Sequence, residues 1–211
     1  MSVWAVVVAG GSGERFGALK QFAMLGGRPL YQWALDAARP AVDGMVLVVP
    51  PGSSPSPSGA ARVVEGGATR SASVRAGLEA VPGDADLIVV HDAARPLATT
   101  ALFRAVIAGV RAGADAAIPA LAVADTLKMV RHDVVVRTVP RHGVVAVQTP
   151  QAFSSKVLRA AHAAGGEATD DAALVEEAGA TVRVVPGDPR NLKVTTPAEL
   201  ELVQALVGGA R

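Results

Sequence analysis

Arg15 and Lys20 lie in a loop that carries glycines at 10, 11, 13 and 17, directly behind an apolar run, in the stretch VVVAGGSGERFGALKQF (6–22). Glycines after a strand let backbone N–H groups approach a ligand closely, and the turn that follows can offer an anion site. A Walker-type loop would need lysine and Ser/Thr after its last glycine, but Ala18 follows Gly17. A dinucleotide fingerprint would need a third glycine where Phe16 stands. Two readings remain: a nucleoside triphosphate held by backbone and two cations, and a plain surface turn with both cations in water. The cation pair favours the triphosphate, because attack at a phosphorus builds charge that fixed cations stabilise.

A second cluster is VVHDAARP (89–96). Asp92 follows an apolar run, at the place where open α/β sheets bind ligands. A carboxylate there is a natural oxygen ligand for Mg²⁺, which takes one or two carboxylates plus substrate phosphates. Arg95 could face a further phosphate. The plainer alternative is that Asp92 caps the next helix and pairs with Arg95. His91 reads as a hydrogen-bonded structural histidine, and His132, His142 and His162 show no metal-ligand spacing. In GGATRSASVRAGL (66–78), two glycines precede a helix start near Ser71, a turn that could read a base edge through backbone and Ser73. NLKVTTP (191–197) puts Lys193 in what reads as a short strand, either as a phosphate contact or as an edge lysine that limits aggregation. TDDA (169–172) most simply caps a helix with acids in its first turn.

The elements that must position these residues alternate. Val3–Ala9, Met45–Val49, Leu87–Val90, Ala114–Pro119 and Val182–Val185 are continuous apolar runs, as expected of parallel strands covered on both faces. Helical patterns lie between and after them: Leu30–Ala38, Ser71–Ala80, Ala101–Ala112, Lys156–Ala164, Ala172–Ala178 and Pro197–Leu206. The last begins with Thr196, Pro197 and Glu199, a capping box with proline at its first position. This alternation predicts a single α/β domain over 1–211, with a doubly wound, mostly parallel sheet. PPGSSPSPSG (50–59) reads as a surface loop. From 121 to 147 the pattern turns to short β-like runs, expected to form either a projecting arm or an antiparallel edge.

Net charge is +1, with 20 Lys+Arg against 19 Asp+Glu and no basic run, which argues against a duplex nucleic-acid binder. There is no cysteine, hence no disulfide framework or thiolate nucleophile. The apolar N-terminus breaks into glycines too soon for a signal or membrane segment, so a soluble cytoplasmic protein with no membrane partner is expected.

Taken in order, AGGSGERFG…KQ, GGATRSASV, VHDAARP, DTLK, QTPQAF, TDDA and NLKVTTPAEL resemble the 2-C-methyl-D-erythritol 4-phosphate cytidylyltransferases of the non-mevalonate isoprenoid pathway. The resemblance runs along essentially the whole chain. It implies a Rossmann-like nucleotidyltransferase fold, a homodimer joined through an arm within 121–147, and a reaction with Mg²⁺ bound. In that reaction the sugar-alcohol phosphate attacks the α-phosphorus of CTP and pyrophosphate leaves. It further implies that Arg15 and Lys20 stabilise the transferring group. Ala9, Gly10, Gly11 and Gly13 would line the nucleotide, Gly67 and Ser73 would select cytosine, and Ala93 would lie beside the ribose. Asp92 would hold the metal, while Arg141 and Lys193 aim the attacking phosphate. Arg95, Thr126, Thr149 and Thr169 would complete the methylerythritol pocket, some of them from the partner's arm.

Two positions depart from the family pattern. Leu19 stands where a proline commonly precedes the loop lysine, in a shorter loop, and Ala68 replaces an acid after the second glycine of GGATR. The rival readings are a ribitol 5-phosphate cytidylyltransferase and a nucleotide-binding protein without turnover. A dinucleotide-dependent oxidoreductase fits least, with Phe16 in the loop and no acid at the end of the second strand at Val49.

Overall fold

The computed structural model describes residues 1–11, 16, 19–60 and 62–209. Two of the candidate loop residues, Gly13 and Arg15, lie outside them. The strands are Val3–Val8 (β1), Met24–Leu25 (β2), Arg28–Pro29 (β3), Gly44–Val49 (β4), Arg62–Glu65 (β5) and Leu87–Asp92 (β6). They continue as Ala116–Ala122 (β7), Leu127–Arg131 (β8), Val134–Val139 (β9), Val145–Val147 (β10), Gln151–Ser154 (β11) and Val182–Pro186 (β12). The helices are Leu30–Ala38 (α1), Arg70–Ala80 (α2), Thr100–Arg111 (α3), Ser155–Ala163 (α4), Asp171–Glu177 (α5) and Pro197–Gly208 (α6).

The main sheet runs β10-β7-β11-β6-β1-β4-β5, with β12 also paired to β7. β5, β4, β1 and β6 pair in parallel, as do β12 and β7, while β10 and β11 run against their neighbours. The fold is thus the expected mostly parallel α/β sheet. Successive residues of β1 serve opposite faces, as the pleat requires. Val3, Ala5 and Val7 pack with Leu35 of α1 and with Phe103 and Val106 of α3. Val6 packs on the other side with Val74 and Leu78 of α2, in the cluster that also holds Leu158 of α4 and Leu174 of α5. Gly77 lets α2 lie close, since a Cβ there would collide with Val6 Cγ1.

Each expected helix forms, and side-chain caps explain several starts. Thr69 accepts from Ala72 N (3.0 Å) and Thr99 from Leu102 N (3.2 Å). Asp170 accepts from Ala173 N (3.1 Å), and Thr196 and Glu199 form the full capping box. Three expectations need correction. Asp92 is the last residue of β6, not a residue beyond it. Residues 191–196 form no strand; Val194 N donates to Ala94 O (2.7 Å), and Val194 is buried with Leu25, Leu30 and Val203. A tie to one carbonyl plus an apolar anchor holds this segment without a ladder. Finally, β5 and β11 form where no strand was expected. β11 is short and half polar, yet Gln151, Ala152 and Phe153 are buried because it sits between β6 and β7.

Within 121–147, β8 and β9 make a hairpin that pairs with no strand of the main sheet. Its two-residue turn is His132–Asp133, both at positive φ (46° and 63°), as a primed hairpin turn demands. Both strands are largely exposed.

Candidate active site

A cleft of about 760 Å³ opens at the carboxyl ends of β1, β5 and β6. Ala9, Gly10 and Gly11 enter from β1, Gly67, Arg70 and Ser73 from the start of α2, and Asp92 and Ala93 from β6. Lys20 and Lys193 close it from outside the sheet. The walls continue the ladder: Ala9 N donates to Val48 O (2.7 Å), Gly66 N to Val49 O (2.7 Å) and Ala93 N to Val8 O (3.0 Å). Gly66 and Gly67 are needed for a steric reason. A Cβ at Gly66 would stand 2.6 Å from Ser73 Oγ, and one at Gly67 2.5 Å from Ala72 Cβ. Ser73 is buried, with its hydroxyl 2.9 Å from Thr69 O and 3.3 Å from Gly67 O, so it donates back to its own turn. Gln21, also buried, donates to Gly11 O (3.2 Å) and ties the returning loop to the strand end.

Asp92 is the electrostatic centre. Lys193 Nζ reaches its Oδ2 at 2.6 Å and Arg70 Nε its Oδ1 at 3.3 Å. Burial alone would push this carboxyl up, but the two cations outweigh it and hold the group well below the usual range. Burial works against the Arg70 charge too, and Asp92 and Asp171 more than offset it, raising that guanidinium. Behind Asp92, burial pushes His91 down to about 4, leaving it neutral. Its Nδ1 lies 3.0 Å from Thr149 Oγ1 and its ring packs edge-on to Phe103. That is the structural histidine expected from the sequence.

A smaller cavity of about 250 Å³ adjoins the cleft and shares Asp92, Arg70 and Lys193 with it. Arg95, Thr149 and Thr169 line it, with Gln148 and Gln151. Arg95 donates to Asn191 O (2.8 Å) rather than to Asp92, and Thr99 caps α3, so the plainer reading of Asp92 fails on both counts. Thr149 Oγ1 accepts from Asp92 N (3.0 Å). Lys193 is held in place from both sides. Upstream, Asn191 Nδ2 donates to Thr149 O (2.9 Å), and Gln148 donates to Asp188 O (2.9 Å) and accepts from Asp188 N (3.1 Å). Downstream, the capping box fixes Thr195 and Thr196. Arg70, Gln148 and Asn191 were not among the expected site residues. Arg70 stands inside the quoted GGATRSASV, but nothing local shows that its side chain turns toward Asp92.

Two expected residues are not brought in. Thr126 and Arg141 are exposed at the base of the arm. Arg141 lines a separate hollow with Val123 and His142, and donates to the carbonyls of Val123 (3.4 Å) and Ala124. Among the described residues there is no cluster of three or more acidic or histidine side chains able to hold a metal. No helix among them is long and apolar enough to cross a membrane.

Residues 3–209 match the family model described as IspD: 2-C-methyl-D-erythritol 4-phosphate cytidylyltransferase. The chain is 46% identical over 217 residues to the 2-C-methyl-D-erythritol 4-phosphate cytidylyltransferase of Nocardia farcinica, covering 98% of this chain and 94% of that one. It is 43% identical over 223 residues to a bifunctional enzyme IspD/IspF of Solidesulfovibrio magneticus, but spans only 56% of that relative's length. The crystal structure of the Thermus thermophilus 2-C-methyl-D-erythritol 4-phosphate cytidylyltransferase superposes with a TM-score of 0.83 at 39% identity, covering 96% of this chain and 98% of that one.

Proposed function

The chain belongs to the IspD family of 2-C-methyl-D-erythritol 4-phosphate cytidylyltransferases, and on that premise we propose how its site carries out CTP-dependent transfer to that sugar phosphate in isoprenoid synthesis. The observation that carries the reading is the junction itself: Asp92, Arg70 and Lys193 line both cavities at once. CTP lies in the larger cavity, with its base against Gly67, its ribose by Ala93 and its triphosphate over Ala9–Gly11. The sugar phosphate lies in the smaller one, among Arg95, Thr149 and Thr169. An oxygen of its phosphate bonds to the α-phosphorus, the bond to the bridging oxygen breaks, and pyrophosphate leaves with that electron pair. The attacking phosphate is already anionic, so no protein nucleophile or base is required. Lys193 aims it, and Arg15 and Lys20 stabilise the charge that builds on the transferring and leaving groups.

The donor set fits a magnesium ion: Asp92 stays ionised, faces both cavities, and Mg²⁺ characteristically joins one or two carboxylates to substrate phosphates. Held by Asp92 and the triphosphate, the ion would neutralise charge on the transferring group. The working form is a cytoplasmic homodimer in which each arm brings Arg141 and Thr126 to the other chain's sugar-phosphate cavity. What supports this is the exposure of both strands of the arm, together with the absence of Arg141 and Thr126 from the lining of either cavity in their own chain.

The test is pyrophosphate release with CTP and Mg²⁺, offering 2-C-methyl-D-erythritol 4-phosphate and ribitol 5-phosphate in parallel. Release with the first alone is expected. Release with ribitol 5-phosphate alone, or with neither in a protein that binds CTP, overturns the assignment.

A further inference from the structure

Asp171 lies at the first turn of α5 and lines neither cavity, yet its side chain is only 1% exposed. Its Oδ2 stands 2.8 Å from Arg70 Nη2, and its Oδ1 2.9 Å from Nε2 of the equally buried His162. The Arg70 contact is a close, buried ion pair, and it helps to raise the guanidinium. An acid in a helix's first turn is ordinary, and Asp170 already supplies the cap. Neither fact explains a carboxylate taken out of water, which is costly unless its charge is used.

Arg70 is what it is used on. A guanidinium beside a single carboxylate settles into short, paired contacts. Arg70 instead serves two, and its contact with Asp92 is correspondingly long, 3.3 Å against 2.6 Å for Lys193. We infer that Asp171 is a positioning residue for the reaction: by drawing Arg70 back, it leaves one oxygen of Asp92 loosely held and open to the site. Without the Asp171 charge, Arg70 is left with Asp92 as its one counter-ion and closes on it. Both oxygens of Asp92 are then covered at the place where the two substrates meet. This inference rests on the reading of Asp92 given above.

The experiment is a double-mutant cycle in the full chain with Asp171→Asn, Arg70→Gln and the pair, read as kcat, KM for each substrate and thermal midpoint. Asp171→Asn is expected to lower kcat roughly tenfold, with KM for CTP within about twofold, and to change kcat less than about twofold once Arg70 is already Gln. A role confined to packing α5 would instead give the same loss in both backgrounds, which overturns the inference, as does an unchanged kcat. If Asp171→Asn melts below the assay temperature, Arg70→Lys decides. Lysine keeps the charge but lacks the fork by which Arg70 reaches Asp92 through Nε and Asp171 through Nη2 at once, so kcat should fall several-fold, and full activity in it overturns the proposal. Wild-type silence with both sugar phosphates sinks the functional reading and this inference together. Wild-type turnover with additive losses sinks the inference alone.

Discussion

Around the cleft, Asp92, Arg70 and Lys193 are fixed to one another by ion pairs and to the sheet by the ladder, the Gln148–Asn191 contacts and the α6 cap. The hairpin β8–β9 carries Val134 at 67% exposure and Val130 at 54%, and pairs only with itself. Both regions contribute residues that the family resemblance assigns to one reaction. One half of the site is therefore held within a single chain, while Arg141 and Thr126 line neither of that chain's two adjoining cavities. Rigid charge belongs where the phosphorus is attacked, since fixed dipoles and charges need no reorganisation there. A separate element can supply affinity for the incoming substrate.

Breaking the preorganised half should have the largest effect. Lys193→Ala is expected to lower kcat/KM for the sugar phosphate roughly 10²-fold, the scale of loss when an attacking group is no longer held in place. Steady-state rates check it, and a loss under tenfold would take Lys193 out of the reaction. On the arm, Arg141→Ala should raise the KM for the sugar phosphate by roughly tenfold while leaving CTP binding nearly intact. If the chain pairs through its arm as proposed, mixing it with Lys20→Ala should restore part of the activity, because a hybrid dimer would keep one intact composite site. No recovery on mixing would place Arg141 in its own chain's chemistry.

The buried histidine sharpens the contrast by pH. Burial lowers the folded-state value of His91 from 6.5 to about 4, so the unfolded chain takes up this proton first as pH falls. Its contribution is fully present above 6.5 and is lost between 6.5 and 4, at up to about 1.4 kcal/mol per pH unit. Urea unfolding at several pH values should show that slope, and His91→Gln should flatten it. An unchanged slope would move the titration elsewhere. The smallest effect belongs to the cap that follows Lys193: Thr196→Ala should cost about 1 kcal/mol of stability. If Lys193 depends on that cap, kcat should drop as well, and a purely thermal effect would separate the two.

Much of the fold could be read from local pattern. Continuous apolar runs mark the strands, buried on both faces in β4 and β6 and largely so in β1, but not in the edge strand β12, where Val184 is exposed. Thr69, Thr99, Asp170 and Thr196 stand at helix starts with side-chain oxygens that reach only three residues. The strand-end glycines and Asp92 could be placed at the cleft because ligands gather at the carboxyl ends of parallel strands. β11 could not: its burial comes from strands on either side of it that are distant in sequence.

The sequence by itself determined the alternation of strands and helices, the glycine-lined strand ends, the chemical character of the cleft and a β-like excursion over 121–147, while its pairing as a separate hairpin was left to the tertiary structure. Those properties follow from neighbours along the chain, through periodicity, caps and turn chemistry. Only the tertiary structure decided that Arg70, Asp92, Asp171 and Lys193 form one charged group, that Asn191 and Gln148 hold Lys193 there, and that Arg141 does not reach the cleft of its own chain. Coulomb pairing acts over a few ångströms of space, whatever the separation in sequence, and the 101-residue separation of Asp92 and Lys193 leaves no local trace of their meeting.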